Sequence, residues 1–423
     1  MNILIQSALI VDPTSPYNGQ VKSILIEKGI ITKIADKIKE QDCANFQKIE
    51  GTVHLSPGWM DMHTNFRDPG FEYKEDLGSG AKAAIAGGFT GVAVMPSTHP
   101  PIQSKSEIEY LINKTKHSIV DIYPIGALTQ QLDGKDITEM FDMSQSGAVA
   151  FSDDKKPIMD AGVLLRALLY VRNFNGLVIS YADDKNISGK GVMNEGLNNT
   201  LLGLKGMPSI SEEVMIIRDI FLTEYTESRL HFSTISSALS VELIRQAKAK
   251  GINITAEICA HQLAFDDSSL ADFDSNYKIK PPFRTPKDID ALKKGLADGT
   301  IDVICSDHSP EDAEMKVREF EHAAYGIIGL ETAYAVANTH LQNILTTEEI
   351  INKIAIRPRQ ILNIPIPGIK EGHTANLTIF DPEKEWTYTT DHIKSKSKNT
   401  PFIGSVFKGK AIAIINNGQF LYC

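Results

Sequence analysis

The chain has 423 residues, 42% hydrophobic and 23% charged, enough for one large domain and a smaller one. A formal net charge of -10 and a pI near 5.6 speak against nucleic acid or an anionic membrane as the main partner. The start lacks a basic segment, and no apolar run approaches the roughly 20 residues that span a bilayer, so a cytoplasmic protein without membrane contact is expected. Cys43, Cys259, Cys305 and Cys423 are scattered without a close pair, which fits reduced thiols better than disulfides or a zinc knuckle.

Residues 2–5, 23–26 and 29–34 read as short strands, with turn chemistry at Asp12-Pro13 and Lys28-Gly29. The C-terminal residues return to that texture in 375–380, 405–410 and 411–415. The two ends, 1–52 and 369–423, are therefore expected to join in one small β-sandwich domain. Between them, over 53–368, strand-like runs alternate with helical ones. Candidate strands are 59–62, 91–95, 121–125, 148–151, 177–180, 229–230, 252–255 and 301–304. Residues 209–225 predict a helix in which Ile210, Val214, Ile217 and Ile220 or Phe221 recur at helical spacing. A further helix over 240–250 stops at Gly251. Eight strand-helix units suit an α/β fold of the (β/α)8 barrel type, although the count alone also describes a large doubly wound sheet.

The reactive residues decide for the barrel. His63, Ser97, Asp153 with Asp154, Tyr181, His231, Glu257 and Asp307 with His308 fall at or just after the ends of candidate strands. In a barrel those ends converge on one face, where active sites sit.

Several stretches carry a specific likeness. They include Pro57-Gly58-Trp59-Met60-Asp61-Met62-His63, Arg67-Asp68-Pro69-Gly70, Met95-Pro96-Ser97-Thr98, Phe151-Ser152-Asp153-Asp154, Ser306-Asp307-His308-Ser309-Pro310 and Ala375-Asn376-Leu377-Thr378. In order and coverage the chain resembles the dihydroorotases of the long, barrel-plus-sandwich type in the amidohydrolase superfamily. The resemblance implies interconversion of dihydroorotate and carbamoyl-aspartate in pyrimidine synthesis, at a zinc centre. It implies His63, Asp154, His231 and Asp307 as metal ligands, with Asp153 the neighbour that competes with Asp154 for the bridging place. Asp307 is also implied as general acid/base, and Arg67, His308, Ser97 and Lys280 fall at substrate-binding positions.

The departures from the family pattern are equally specific. Asn65 stands where the second histidine of the entry motif is expected, and Tyr181 where another imidazole is expected after the fifth strand. Ser97 and Lys280 replace expected asparagines. An amide oxygen is a weak ligand for zinc and a phenol a poor one, so zinc is expected to bind weakly, substoichiometrically or not at all. His99, Cys259 and His261 are the nearby candidates for compensation.

Two readings follow. In the first, the chain keeps the fold and acts as a structural partner, with aspartate transcarbamoylase the partner that the resemblance names, and a homo-oligomer is expected. In the second, it is a working dihydroorotase or related cyclic amidohydrolase with an unusual, mononuclear metal site; dihydroorotate, hydantoin and allantoin all remain open as residual substrates. Two further expectations concern charge: that the Lys280 ammonium pairs with Asp154 or Asp307, and that Arg67 stays free to hold a small anion.

Overall fold

The structure, a computed structural model, describes residues 2–39, 46–49 and 53–423. Cys43 and residues 50–52, where the boundary between the two parts was expected, lie outside the described residues. The described cysteines Cys259, Cys305 and Cys423 are free thiols. No helix among the described residues is long and apolar enough to cross a membrane.

Eight parallel strands form the barrel: Trp59–Thr64, Phe89–Val94, Asp121–Gly126, Ala150–Phe151, Val178–Tyr181, Leu230–Ser233, Ile254–Cys259 and Val303–Cys305. Runs such as Phe89–Val94 are buried at every residue, as strands covered on both faces must be. The first and last strands meet where Thr64 bridges His308, and the Asn65 N–H donates to the His308 carbonyl at 2.8 Å. Asp61 ties the same seam by accepting from the Ser306 N–H at 3.0 Å. Met60, Met62, Ala93, Met95, Ile125, Ala150, Ile179 and Val303, drawn from six of the eight strands, pack together beneath the mouth. The loops therefore sit on a filled floor.

Helices start where side chains satisfy their free N–H groups. Asp76 accepts from the N–H groups of Gly78 and Ser79 at the head of Leu77–Gly87, and Thr285 with Asp288 forms a reciprocal cap on Pro286–Ala297. The helix Ala238–Ala249 stops as expected, with Gly251 in the left-handed region at φ 81°.

The helix Ile210–Thr226 is present as expected, and the residues that recur at helical spacing mostly lie on its exposed side. Met215, Ile216, Asp219 and Thr223 are buried, whereas Ile210, Val214, Ile217, Phe221 and Tyr225 are exposed, Phe221 at 65% and Tyr225 at 76%. The reason lies in the polar anchors. Asp219 accepts from the Ser180 hydroxyl at 2.7 Å and Glu212 from the Ser236 N–H at 2.9 Å, which turns their side of the helix onto the barrel.

Both ends of the chain enter one mixed sheet. Its order is Gln419–Tyr422, Val406–Asn416, Leu377–Thr387, Val53–Pro57, Asn2–Ile10, Val21–Glu27 and Ile30–Ala35, with Gln47–Ile49 also pairing Asn2–Ile10. The sheet thus takes in Val53–Pro57, and the two strands expected over 405–415 are one. Ile3, Ile5, Ile24, Ile26, Leu55, Ile379, Ala413 and Ile415 share its core. Gly409, at φ 97°, lies against the barrel helix Ala333–Leu341, where a Cβ would come within 2.7 Å of the Asn338 side chain.

Asn338 donates to the carbonyls of Pro382 at 2.9 Å and Lys408 at 2.8 Å, fastening the terminal sheet to the barrel. Asn338→Ala removes the side-chain donor to the Pro382 carbonyl and leaves that of Lys408 with the longer bond from Thr339 Oγ1, at 3.3 Å, and is expected to cost roughly 1–3 kcal/mol, read by denaturant unfolding. An unchanged midpoint would show that these bonds do not hold the two parts together.

Candidate active site

The mouth is built from strand ends. His63 lies in the first strand, Tyr181 closes the fifth, His231 lies in the sixth and Glu257 in the seventh, while Asp154 and Asp307 follow the fourth and eighth. All six are buried. Arg67, Asp154, Thr234 and Asp307 take φ of 60°, 54°, 47° and 47°, a region that residues other than glycine rarely enter. Such conformations cost on the order of 1–3 kcal/mol each and persist only where the surroundings fix them. Here they turn the chain sharply at the mouth.

The polar groups form one continuous network. The two ring nitrogens of His63 face carboxylates, Nδ1 lying 2.8 Å from Glu257 Oε1 and Nε2 3.1 Å from Asp154 Oδ1. Asp307 Oδ1 is 3.5 Å from the same Nε2. The Ser97 hydroxyl donates to Asp154 Oδ2 at 2.6 Å. His231 places Nδ1 2.8 Å from Thr255 Oγ1 and Nε2 3.4 Å from Glu257 Oε2. Burial and nearby Lys155 work against charge on His63, but hydrogen bonds to Asp154 and Glu257 prevail and push its pKa up to about 10. Asp154 and Glu257 are held well below the usual carboxylate range: burial opposes this, but for Asp154 the bond to His63 wins, and for Glu257 the pull of His231 and His63.

A second cation enters from Lys155. Its Nζ lies 3.1 Å from Asp307 Oδ1 and donates to Thr234 Oγ1 at 3.0 Å, above the Tyr181 ring at 5.3 Å from its centroid. Burial resists its charge, yet Asp307, Cys259 and Asp154 together raise its pKa above that of an ordinary lysine. The sequence reading missed Lys155. The signal available was its position directly after Asp154, in Asp153-Asp154-Lys155-Lys156. Glu257 was seen at a strand end but given no role, and it joins the two histidines.

The neighbouring carboxylates separate cleanly. Asp153 accepts from the N–H groups of Leu128 and Thr129, both at 2.9 Å, and so fixes a loop, while Asp154 faces the mouth. Asn65, Arg67, Ser97, Asp154, Lys155, Lys280 and Asp307 are among the residues lining a cavity of about 240 Å³.

Four expectations are corrected. Lys280 does not pair with Asp154 or Asp307: it follows the seventh strand by a long loop, its Nζ lies 4.8 Å from the Tyr325 ring centroid, and the carboxylate acting on it is Asp183. Arg67 is not free, because it donates to Glu311 Oε1 at 3.1 Å and to the Pro310 carbonyl at 3.2 Å. His308 is turned away from the cavity. Its Nδ1 accepts from the Gly329 N–H at 3.2 Å and its Nε2 lies 3.4 Å from Glu75. His99 is exposed on its loop and supplies nothing to the network.

Among the described residues, two groups of donors lie close enough to hold a metal ion, His63 with Glu257 and Cys305, and Cys259 with His261 and Asp307. In the first, His63 and Glu257 already satisfy each other. Burial keeps His261 neutral, pulling its pKa down to about 4 against the pull of Asp307, and pushes the Cys259 thiol up to about 11.

Comparison with known proteins assigns the ancestry. The family profile described as dihydro-orotase-like matches residues 52–240, and that of the amidohydrolase family matches 213–421. The chain is 39% identical over 425 residues to a dihydroorotase of Syntrophus aciditrophicus, covering 100% of this chain and 99% of the relative. It is 43% identical to one of Caldanaerobacter subterraneus subsp. tengcongensis, covering 100% and 97%. In fold it is similar to the L-hydantoinase (dihydropyrimidinase) of Arthrobacter aurescens, with a TM-score of 0.83 at 21% identity over 99% of this chain and 96% of that one. The D-hydantoinase (dihydropyrimidinase) of Thermus sp. gives 0.82 at 19%, over 100% and 97%. Relatives of this identity run the whole length of the barrel and the terminal sheet alike, and the chain belongs to the dihydroorotase family of the amidohydrolase superfamily.

Proposed function

We propose that this dihydroorotase-family protein holds its barrel mouth together with protein cations and does not hydrolyse the cyclic amide, serving pyrimidine biosynthesis as a structural partner. The observation that carries this reading is the Lys155 ammonium, 3.1 Å from Asp307 Oδ1 and 3.0 Å from Thr234 Oγ1. An aspartate oxygen that faces an ammonium at this distance is poorly placed to pass a proton to a substrate. When bound in this superfamily, divalent metals supply an activated hydroxide and polarise the carbonyl under attack. An ammonium can hold an anion but cannot make hydroxide from water at neutral pH.

The remaining donors do not make up the ligand set for a pair of metals. His63 Nε2 is turned to Asp154, His231 Nε2 lies 3.4 Å from Glu257 without a hydrogen bond, and Asn65 and Tyr181 replace imidazoles. Zinc is expected to hold weakly there. Aspartate transcarbamoylase remains the partner that the resemblance suggests, alongside self-association. The exposed stripe of Ile210, Val214, Ile217, Phe221 and Tyr225 supports assembly, since scattered single apolar residues would need no cover but a contiguous face does.

The second reading, a mononuclear dihydroorotase, draws on full-length relatives that carry that name and on the convergence of His63, Asp154 and Asp307. It requires Lys155 to leave Asp307. Assay of dihydroorotate hydrolysis and carbamoyl-aspartate cyclisation, with and without added zinc, separates the two. The expected result is no turnover above background in the natural chain and measurable turnover in Asn65→His/Tyr181→His/Lys155→Gly. Zinc-dependent turnover by the natural chain would overturn the proposal.

Lys155→Met tests the cation itself. Asp154 is held below its unfolded pKa, so its contribution to stability is present above the ordinary carboxylate range and is lost as pH falls through the folded value. Lys155 keeps 21% of its side-chain exposure, so the loss at pH 7 is expected at about 2–3 kcal/mol, below the range for fully buried pairs. It should shrink progressively below about pH 4, where Asp154 of the unfolded chain takes up its proton ahead of that of the folded one. An equal loss at pH 7 and in acid, by denaturant unfolding, would contradict the pairing.

A further inference from the structure

The two oxygens of Asp307 face different neighbours. Oδ1 is occupied by Lys155 at 3.1 Å, while Oδ2 lies 3.5 Å from Cys259 Sγ. Cys259 ends the seventh strand with extended backbone, and the chain then enters the single 3₁₀ turn Ala260–Leu263. One ligand atom each from Cys259, His261 and Asp307 thus comes within 4.8 Å of the others, all three residues being buried. The His261 ring is 2% exposed, packs edge-on to Phe283 and finds no hydrogen-bond partner at either nitrogen. A buried imidazole with both nitrogens unpaired is costly unless something accepts its lone pair.

From this geometry we propose a mononuclear site for a borderline-soft divalent cation of the zinc class, held by Cys259 Sγ, His261 and Asp307 Oδ2, distinct from the histidine cradle of His63 and His231. A thiolate, an imidazole and a carboxylate are the donor types such ions select, and small shifts would bring them to the 2.0–2.3 Å bonds that zinc requires. On binding, a metal–sulfur bond forms and the Cys259 thiol proton passes to solvent. The thiolate and the carboxylate then offset the charge of the dication, and with Lys155 still on Oδ1 the group carries one net positive charge beside Asp154. The site shares Asp307 with the Lys155 pair but takes its other oxygen, and it includes neither His63 nor His231, so a failure here leaves the proposed loss of hydrolysis to its own assay.

Cobalt(II) is the probe, because sulfur ligation gives it a thiolate-to-metal charge-transfer band and tetrahedral sites give intense visible bands. The full chain, stripped with chelator and titrated with cobalt(II), is expected to show the thiolate band at one equivalent. Cys259→Ser should abolish it, and His261→Gln, which keeps the thiol, should weaken binding at least tenfold. Cys305→Ser and His63→Asn/His231→Asn should leave it in place. Folding of each variant is checked by circular dichroism, and His261→Gln decides the matter if Cys259→Ser fails to fold. A natural chain without the band, a band that His261→Gln leaves unaltered in affinity, or one lost with His63 and His231 would overturn the assignment.

Discussion

The mouth of the barrel gathers three buried carboxylates, Asp154, Glu257 and Asp307, and the structure depends on how their charge is met. Like charges brought together out of water repel or take up protons unless cations stand among them. Here the cations belong to the chain. His63 lies between Glu257 and Asp154, and Lys155 reaches Asp307. The four left-handed residues at the mouth, Arg67, Asp154, Thr234 and Asp307, are turned so that these groups meet. Removing one member leaves its neighbours charged and unpaired, which gives the network a larger hold on stability than its single contacts suggest.

Much of the architecture was legible because parallel strands buried on both faces must be continuously apolar. The eight runs were found, and polar residues at their ends marked the mouth. The merging of 405–410 with 411–415 was hidden by Gly409, which reads as a stop but allows close packing against Asn338. The buried face of Ile210–Thr226 was not legible for a different reason. Spacing identifies an apolar stripe but not which side the fold covers, and the buried side here is fixed by hydrogen bonds from Asp219 and Glu212.

The site was legible in its residues and less so in its pairings. Strand alternation placed His63 and motif order placed Asp154 and Asp307, but a backbone at φ 54° redirects the chain just after Asp154 and turns Lys155 inward. No periodicity announces that. Sequence position points instead to Lys280, whose loop carries it to Tyr325 and Asp183. Arg67 and His308, which the resemblance placed at substrate-binding positions, are committed to Glu311 and to Glu75 with the Gly329 N–H.

Zinc-edge anomalous diffraction from crystals grown at neutral pH with added zinc addresses the central claim most directly. The account predicts the Lys155 ammonium within hydrogen-bond distance of Asp307 and Thr234, and no anomalous peak bonded to His63 Nε2. A zinc peak shared by His63 and Asp154, with Lys155 swung out of the mouth, would contradict it.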